Sequence, residues 1–553
     1  MEEVKQILTK GAELIDKKEY VEANKLFTEG LSKIEENKNE NLEYKKLYYE
    51  LLLKRSFNSF LQENYDIAED DVKIILKSCA ETQEDPKEKE LQIQTLSTAH
   101  FRLGQINELR GNLLTCLKEY DLSVSLVPDG EGKASLSRVY TDIGLPPISD
   151  APEMAPFLKI SKCLLKDENE LLEALTNSLK YIKTSTFDAA TFSTVGGCRI
   201  YFSVIQVYMK APAILGACIQ CLTVLAQKGA KDVYSGYPLI KHVFDFAVIN
   251  NRPLFALLIQ LIKYTPPSLL MYMDKLDFID PLCDGLTLDL NDEETETVMY
   301  LIFHMADKDE QIQKVHNEGV TEICLKKRNN GSFMLLSKLC FVEEACKLAV
   351  KEGIIDWTIQ FLSNDKSEVH LLLASLTILP EALKVAKNNN NDNNNNDNSF
   401  NEMIQKIVPL VVKCILSHTK EVVIVSNGFN VLTFCLPFAK QEIIQLKVIQ
   451  AASVLLSVHN DDAKTAATII EFLFDCCEVL GPEEVKKVRP VLQTAMKTLN
   501  THANNPLVVE YGAGLAVYLD HHRMNELLQA AMEVCPKSDI LKRMKEIART
   551  HKA

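Results

Sequence analysis

The sequence is poor in the residues that end or bend regular structure. Glycine occurs 20 times and proline 19 times among 553 residues, and tryptophan occurs once. An all-β protein draws on such residues for a turn roughly every 8–12 residues. Their scarcity disfavours an all-β fold. The length suggests several ordinary domains, or fewer domains if the chain is an array of repeats.

Positive charge is also in short supply. Lysine and arginine number 61 against 76 aspartate and glutamate residues, which gives a net charge of −15. Proteins that bind nucleic acids need a basic surface to neutralise phosphates, so this balance argues against a nucleic-acid partner. A hydrophobic share of 46% and a charged share of 25% are typical of soluble globular proteins.

Signals for secretion or membrane insertion are missing. The fifteen cysteines are odd in number and irregularly spaced, which predicts reduced, buried thiols in a cytosolic protein. Residues 1–5 are charged and lack the apolar core of a signal peptide. The longest apolar stretches, such as residues 254–262, reach about half the length of a membrane span. We expect a soluble, cytoplasmic protein that makes no membrane contact.

Catalytic and metal-binding motifs are absent as well. The chain has no phosphate-binding glycine loop, no nucleophile elbow and no His-Glu-x-x-His. Cys218 and Cys221 have the spacing of half a zinc site, but without a second such pair they are better explained as buried thiols. His521 and His522 are adjacent and would diverge by about 100° on a helix. The sequence predicts no catalytic, cofactor or metal site, and hence no enzyme.

Repeats are what the sequence does contain. Near the N-terminus, Gly11 precedes Tyr20, Ala23 and Phe27 in an arrangement that resembles the tetratricopeptide (TPR) pattern. Small residues such as Gly11 and Ala23 let the two helices of a hairpin approach closely, and the ring of Phe27 fills the space between them.

Two further copies of this pattern follow. Ser56 and residues 64–68 occupy the matching positions in the second copy, and Gly104 and residues 112–116 do so in the third. The copies lie 45 and 48 residues apart, against about 34 in the usual repeat. The surplus is assigned to polar loops at 35–41 and 81–90. The sequence predicts a TPR domain of three repeats over 1–130.

A linker and a longer period come next. Glycines at 130 and 132 and a group of prolines from 146 to 156 predict a turn-rich linker over 131–152. Beyond it, apolar helices recur at intervals of 34 to 42 residues, with one interval of 53. They begin near Phe157, Cys198, Tyr237, Phe278, Val320, Ile354, Ile407, Val448 and Val488.

A period near 40 with two or three helices per unit is typical of armadillo and HEAT repeats. The sequence therefore predicts about nine such repeats over 153–550, stacked into a right-handed α-solenoid. The fold class is all-α. The interval of 53 contains residues 388–398, which are all Asn or Asp. This composition predicts a disordered insertion in a loop.

The TPR resemblance implies a specific test of the groove. TPR domains that bind the acidic tails of heat-shock proteins 70 and 90 use a five-residue carboxylate clamp: Lys and Asn in the first repeat, Asn in the second, and Lys and Arg in the third. The register of the copies places the five positions at Leu8, Ala12, Lys54, Thr98 and Arg102. Only Arg102 matches, and Lys54 supplies a cation in place of an amide. The clamp is degenerate.

Three phenylalanines are predicted to face the same groove, at positions 57, 60 and 101. They either pack neighbouring helices or make a groove that prefers an apolar peptide. The candidate partner-binding residues are therefore Lys54, Phe57, Phe60, Phe101 and Arg102. A second resemblance fails: nuclear-import adaptors carry repeated Trp and Asn along their third helices, whereas here Trp357 is single and Asn427 and Asn430 are isolated.

A TPR domain joined to an armadillo array is similar in layout to the UCS-domain myosin co-chaperones. That resemblance implies recruitment of heat-shock protein 90 by the TPR part and binding of a myosin motor domain by the armadillo part. The leading hypothesis is a non-enzymatic co-chaperone that holds a motor-protein client. The alternatives are a general adaptor between proteins and an assembly factor for axonemal dynein, neither with chaperone activity.

Overall fold

A computed structural model of the chain describes residues 1–38, 41–79, 85–143, 157–165, 167–266, 269–270, 273–364, 366–392, 397–488 and 490–550. Over these ranges regular secondary structure is helical, and no strand occurs. The all-α fold class is confirmed. The chain divides into two compact units, Met1–Pro266 and Pro267–Ala553.

The first unit begins with three antiparallel hairpins, in the positions that the repeat pattern predicts, and continues through shorter helices. Its helices are α1 (Glu2–Asp16), α2 (Tyr20–Ile34), α3 (Leu42–Leu61), α4 (Tyr65–Ser78), α5 (Pro86–Leu109), α6 (Leu113–Leu126), α7 (Gly132–Asp142), α8 (Leu158–Cys163), α9 (Glu168–Ile182), α10 (Ala189–Thr194), α11 (Arg199–Val207), α12 (Pro212–Gln227), α13 (Tyr237–Asn250) and α14 (Arg252–Lys263).

Small residues stand where the helices of each hairpin cross. A Cβ on Gly104 would lie 2.5 Å from Cδ1 of Tyr120, whose ring is fully buried between α5 and α6. Gly11 is in the same close contact with the ring of Phe27. In the second hairpin Ser56 takes this place, and its Oγ donates to the carbonyl oxygen of Ala68 at 2.8 Å. The predicted crossing points are confirmed.

Two loop predictions in this region are wrong. Residues 86–90, assigned to a loop, form the first turn of α5. Oδ1 of Asp85 accepts hydrogen bonds from the backbone N–H groups of Lys87 and Glu88, and Pro86 follows this N-cap at the position where proline suits a helix. The polarity of the segment alone indicates a loop, whereas the Asp-Pro pair marks the start of a helix.

The predicted linker is also wrong over its first half. Residues 132–142 form α7, which packs on α6 and buries Val139. Gly132 permits this approach, since a Cβ there would lie 2.8 Å from Oγ of Ser123. After α7, the carbonyl oxygen of Ile143 accepts a hydrogen bond from Oγ of Ser203 at 2.9 Å. The remainder of the predicted linker, 144–152, lies outside the described residues.

The second unit is a series of short and long helices that repeats the predicted period. Its helices are α15 (Ile279–Gly285), α16 (Asp292–Met305), α17 (Asp309–Asn317), α18 (Val320–Lys327), α19 (Asn330–Leu339), α20 (Glu343–Lys351), α21 (Ile354–Ser363), α22 (Val369–Asp392), α23 (Asp397–Ser417), α24 (Val422–Cys435), α25 (Lys440–Gln445), α26 (Val448–Val458), α27 (Ala463–Val479), α28 (Pro482–Lys486), α29 (Pro490–Thr501), α30 (Pro506–Tyr518), α31 (Met524–Val534) and α32 (Asp539–Thr550).

One helix of each repeat packs on its counterpart in the next repeat. These third helices are α16, α19, α22, α24, α27 and α30, and each contacts the following one. Their first residues are 38 to 43 residues apart, except for the 53 residues between α22 and α24. Such stacking buries the apolar faces that one repeat alone would leave exposed. The second unit is an all-α solenoid.

The Asn-rich insertion differs from the prediction. Residues 388–392 continue α22, and α23 begins at Asp397, so the described ends of the run are helical rather than loop; residues 393–396 lie outside the described part. Asn disfavours a helix by roughly 0.7 kcal/mol per residue. The buried residues Ala382 and Leu383 anchor the preceding turn, and extending an existing helix adds one hydrogen bond per residue without a new nucleus.

One helix in the described ranges, over Val369–Asn389, has the length and apolar composition of a membrane span, which the sequence analysis overlooked. It packs between α19 and α24, and 56% of its most apolar window is buried, as in the core helix of a repeat array. All fifteen cysteines are unpaired thiols, and all but Cys535 are buried.

Candidate functional site

The hairpin groove of the first unit is formed by α3 and α5, which contact each other along neighbouring hairpins. Lys54, Phe57 and Phe60 lie on α3, and Phe101 and Arg102 lie on α5. Residues three or four apart share one side of a helix, so Lys54 and Phe57 face the same way. The structure brings three of these five candidates into contact, leaves Lys54 on the same side of α3 as Phe57, and separates the fifth.

Arg102 packs between the two helices. Its guanidinium carbon lies 4.6 Å from the ring centroid of Phe57 and 5.0 Å from that of Phe60. Nη1 donates to Oε1 of Gln105 at 2.6 Å. Burial lowers the pKa of Arg102 to about 10, and the negative charge of Glu131 opposes this shift. The single clamp residue that the sequence retains is thus stacked on two rings and forms no ion pair with a described residue.

Phe101 is the candidate that the groove does not contain, and this part of the prediction is wrong. Its side chain is 8% exposed and packs on the ring of Tyr120 in α6, with 5.8 Å between ring centroids. Phe101 and Arg102 are adjacent, so their side chains point about 100° apart around α5. Placing Arg102 in the groove therefore turns Phe101 into the core of its own hairpin.

The other clamp positions cannot supply charge, with one exception. Leu8 belongs to the hydrophobic core, and Ala12 is half-buried. Thr98 is exposed and donates to the carbonyl oxygen of Gln94 in its own helix. Lys54 is half-buried and forms no ion pair with a described residue. Lys54 is therefore the one clamp position besides Arg102 that supplies a cation.

Two exposed leucines that sequence reasoning missed extend this surface. Leu61 is four residues after Phe57 and 37% exposed, and Leu109 is seven residues after Arg102 and 58% exposed. Helical spacing places each on the same side as its groove residue, and this spacing identifies them once the residues that face the groove are known. The groove is apolar and aromatic around its two cations.

A second candidate surface is the third-helix face of the second unit, defined as the exposed sides of α22, α24, α27 and α30. Side chains link these helices across the face. Nδ2 of Asn427 donates to Oγ1 of Thr377 at 3.1 Å, which joins α24 to α22. The hydroxyls of Ser426 and Thr468 lie 3.3 Å apart and join α24 to α27.

Carboxylates dominate the part of this face that belongs to α27. Glu471, Asp475 and Glu478 are spaced by four and three residues, which places them on one side of the helix. Tyr511 and Tyr518 of α30 donate to Glu471 and Glu478, each at 3.0 Å. These residues were not among the predicted site residues, although their spacing of four and three is a signal that the sequence contains.

The cysteines and histidines considered for metal binding lie outside the two candidate surfaces. Cys218 and Cys221 are fully buried, and Sγ of Cys221 contacts Oγ of Ser178 at 3.7 Å. His521 and His522 do not diverge as predicted: their ring centroids are 4.4 Å apart, because they follow α30 in a turn rather than lie on a helix. Among the described residues, no three His, Cys, Asp or Glu side chains are grouped as a metal site requires.

No protein-family model and no curated protein sequence matches the chain. The chain is similar to one from a structure of the interaction between cadherin and β-catenin, with a TM-score of 0.51 and 12% identity over 86% of this chain and 96% of that one. This similarity shows the solenoid fold.

Two further solved structures match at lower scores. One is importin β, with a TM-score of 0.35 and 10% identity over 93% of this chain and 68% of that one. The other is the myosin chaperone UNC-45 from C. elegans in complex with a heat-shock protein 90 peptide. It has a TM-score of 0.22 and 11% identity over 96% of this chain and 73% of that one.

Proposed function

We propose that the chain is a non-enzymatic, cytoplasmic scaffold that acts as a co-chaperone and holds a protein client, a myosin motor domain, on the third-helix face. The observation that carries this proposal is the stacking of α22, α24, α27 and α30, which leaves one side of each helix with half-buried and exposed side chains. Each repeat adds one strip of side chains, so a segment of a client can contact several strips at once.

The chemistry of the face suits a folded or partly folded client. Val423 is 55% exposed at the start of α24, and Asn430 is exposed two turns later on the same helix. The tyrosines of α30 present rings together with hydroxyl groups, a combination that is enriched at protein interfaces. The face thus carries both apolar and polar side chains.

The hairpin groove supports a second, weaker partner contact. Heat-shock protein 90 or 70 is the partner that the layout suggests for it. Each clamp hydrogen bond to a carboxylate contributes on the order of 1.5–3 kcal/mol, and Leu8, Ala12 and Thr98 contribute none. Any chaperone contact would therefore depend on Lys54, Arg102 and the apolar surface beside them.

Suppression of client aggregation tests the proposal. A myosin motor fragment is warmed with the full-length chain, and light scattering is followed. The wild-type chain should keep the fragment in solution. The double variant Val423→Lys/Asn430→Lys should lose most of its ability to suppress aggregation, because burying an unpaired charge under the client costs on the order of 2 kcal/mol or more.

A matched control lies in the neighbouring repeat. Val454 and Val458 of α26 are 63% and 57% exposed but lie outside the third-helix face. The double variant Val454→Lys/Val458→Lys should suppress aggregation of the client as well as the wild type does. Equal loss with both pairs of substitutions, or loss with neither, would contradict the proposal.

The alternative function is a general adaptor, or an assembly factor for axonemal dynein, that binds a partner without protecting it. The exposed third-helix face supports this alternative equally well as a binding surface. The same assay separates the two: an adaptor would co-elute with its partner in gel filtration and still leave the warmed fragment to aggregate.

A further inference from the structure

One carboxylate on the third-helix face has no hydrogen bond to a described residue. Glu471, Asp475 and Glu478 lie on one side of α27, and the outer two each accept a hydrogen bond from a tyrosine of α30. Asp475, between them, is half-buried. Its carboxyl group therefore lies one turn from each of two partnered carboxylates and has no hydrogen-bond partner among the residues that the structure describes.

The elements packed on α27 bring few charges to this place. The sequences of α24 and α26 contain no Asp, Glu, Lys, Arg or His. In α28, Lys486 pairs with Glu483 and with Asp520, and Glu484 pairs with Lys487. Both lysines are therefore paired with other carboxylates, and neither forms an ion pair with Asp475.

The helices after α27 add one cation. Glu510 of α30 accepts a hydrogen bond from Ser538. Arg543 of α32 forms an ion pair with Glu478, and it is the one positive charge in the described part of the chain that acts on Asp475. That cation is shared, because it is bonded to a different carboxylate.

Burial and like charge act on Asp475 in the same direction. Burial, followed by the negative charges of Glu471 and Glu478, raises the pKa of Asp475 to about 7, and Arg543 opposes the shift. A buried group next to like charges favours its neutral form. Near neutral pH the carboxyl is therefore divided between its protonated and ionised forms.

We propose that Asp475 is a proton-operated latch for the C-terminal helices. With a proton on Asp475, α30 packs on α27 through the two tyrosine–glutamate hydrogen bonds and through Phe474, whose ring lies 5.5 Å from that of Tyr511. When the proton leaves, a third negative charge lies between the two glutamates. The attachment of α30, and of α31 and α32 that pack on it, then loosens.

The direction of the effect follows from linkage. The closed form holds the proton up to about pH 7, whereas an opened, solvated Asp releases it near pH 3.9. The closed form therefore binds more protons between these values, and its stability falls as pH rises through this window. Between pH 6 and pH 8 the linkage relation gives about a tenfold increase in local opening.

Hydrogen exchange of the full-length chain measures this opening. Peptides that cover residues 506–534 are followed by mass spectrometry at pH 6 and pH 8, and rates are corrected for the intrinsic pH dependence of exchange. In the wild-type chain, protection should fall about tenfold from pH 6 to pH 8. In Asp475→Asn and Asp475→Ser, which carry no charge, protection should not change with pH.

Asp461→Asn provides the matched control, because Asp461 is an exposed carboxylate in the turn before α27. This variant should keep the wild-type pH dependence. Two results would overturn the proposal. One is equal corrected protection at both pH values in the wild-type chain, and the other is a pH dependence that persists in both neutral variants.

Discussion

At the scale of single residues, two of the three hairpins depend on a glycine where their helices cross. We predict that Gly104→Ala lowers the free energy of unfolding by about 1–3 kcal/mol. The new methyl carbon would lie 2.5 Å from Cδ1 of Tyr120, and the buried ring cannot move aside without disturbing the core. Urea denaturation followed by circular dichroism measures the change.

Gly216→Ala is the matched control in a helix of the same unit. Its new methyl carbon would lie 3.5 Å from Cδ1 of Leu257, which is an ordinary contact. Alanine is also the better helix former, by roughly 0.5–1 kcal/mol. This variant should be as stable as the wild type or more stable. Equal losses at the two glycines would contradict the crossing argument.

The degenerate clamp leads to a binding prediction. The full-length chain should bind a free acidic peptide from the tail of heat-shock protein 90 at least about ten times more weakly than an intact clamp does, since several charge-assisted bonds are missing. Titration calorimetry tests this. Low-micromolar binding that Arg102→Ala abolishes would show that the clamp works through residues assigned here to other roles.

The crossing residues could be predicted from the sequence, whereas the orientations of the groove residues could be predicted only in part. Gly11, Ser56 and Gly104 were found because a small side chain is a property of the residue itself. Phe101 was misplaced because its orientation depends on helical phase, and one residue turns a side chain by about 100°. The exposed Leu61 and Leu109 carry no signal until that phase is known.

At the scale of elements, histidines join successive repeats of the second unit. Nε2 of His459 donates to the carbonyl oxygen of Thr419 at 2.7 Å, and Nε2 of His502 donates to that of Asn460 at 2.5 Å. Each accepting residue directly follows the histidine of the preceding repeat, His418 or His459. Two successive pairs of repeats are therefore joined by the same hydrogen bond, from a histidine to the equivalent turn of the preceding repeat.

We predict that His459→Ala and His502→Ala each lower the free energy of unfolding by about 1–3 kcal/mol, because a carbonyl group between repeats loses its donor. His418→Ala is the control. The imidazole of His418 bonds to the carbonyl oxygen of Cys414 in the helix that ends just before it, so its loss should cost less. Thermal unfolding by calorimetry ranks the three variants, and an equal effect of all three would contradict the coupling.

The Asn-rich run leads to an element-scale prediction of the opposite kind. Deletion of residues 388–398 should change the free energy of unfolding by no more than about 0.5 kcal/mol, because connection length affects stability weakly. Asn388 and Asn389 are exposed, so removing them uncovers no core. A large fall in the urea midpoint would mean that the run packs against the solenoid.

The run also marks a limit of prediction from composition. Eleven residues of Asn and Asp indicate a loop when each residue is judged by its own propensity. The helix that enters the run is anchored by buried residues before it, and this anchor is a property of tertiary packing. The N-cap at Asp85 is a local feature, so it could be predicted from the sequence. The packing of α7 on α6 is a tertiary contact, so it could not.

At the scale of the whole molecule, the repeat period was enough to predict the fold class. The spacing of apolar segments depends only on the length of each helical unit, so it can be found in the sequence without any knowledge of contacts. The division of the chain is different. The first compact unit runs to Pro266, well past the predicted linker, because packing such as that of α6 on α11 joins the segments on either side of it.

Site-specific photo-crosslinking tests the central claim, that the third-helix face holds the client, most directly. A photoreactive phenylalanine analogue replaces Asn430 on the face or, as a control, Val454 on α26, and each full-length protein is irradiated with a myosin motor fragment. We predict a crosslinked product from position 430 and none from position 454. Equal products from the two positions, or a product from position 454 alone, would contradict the claim.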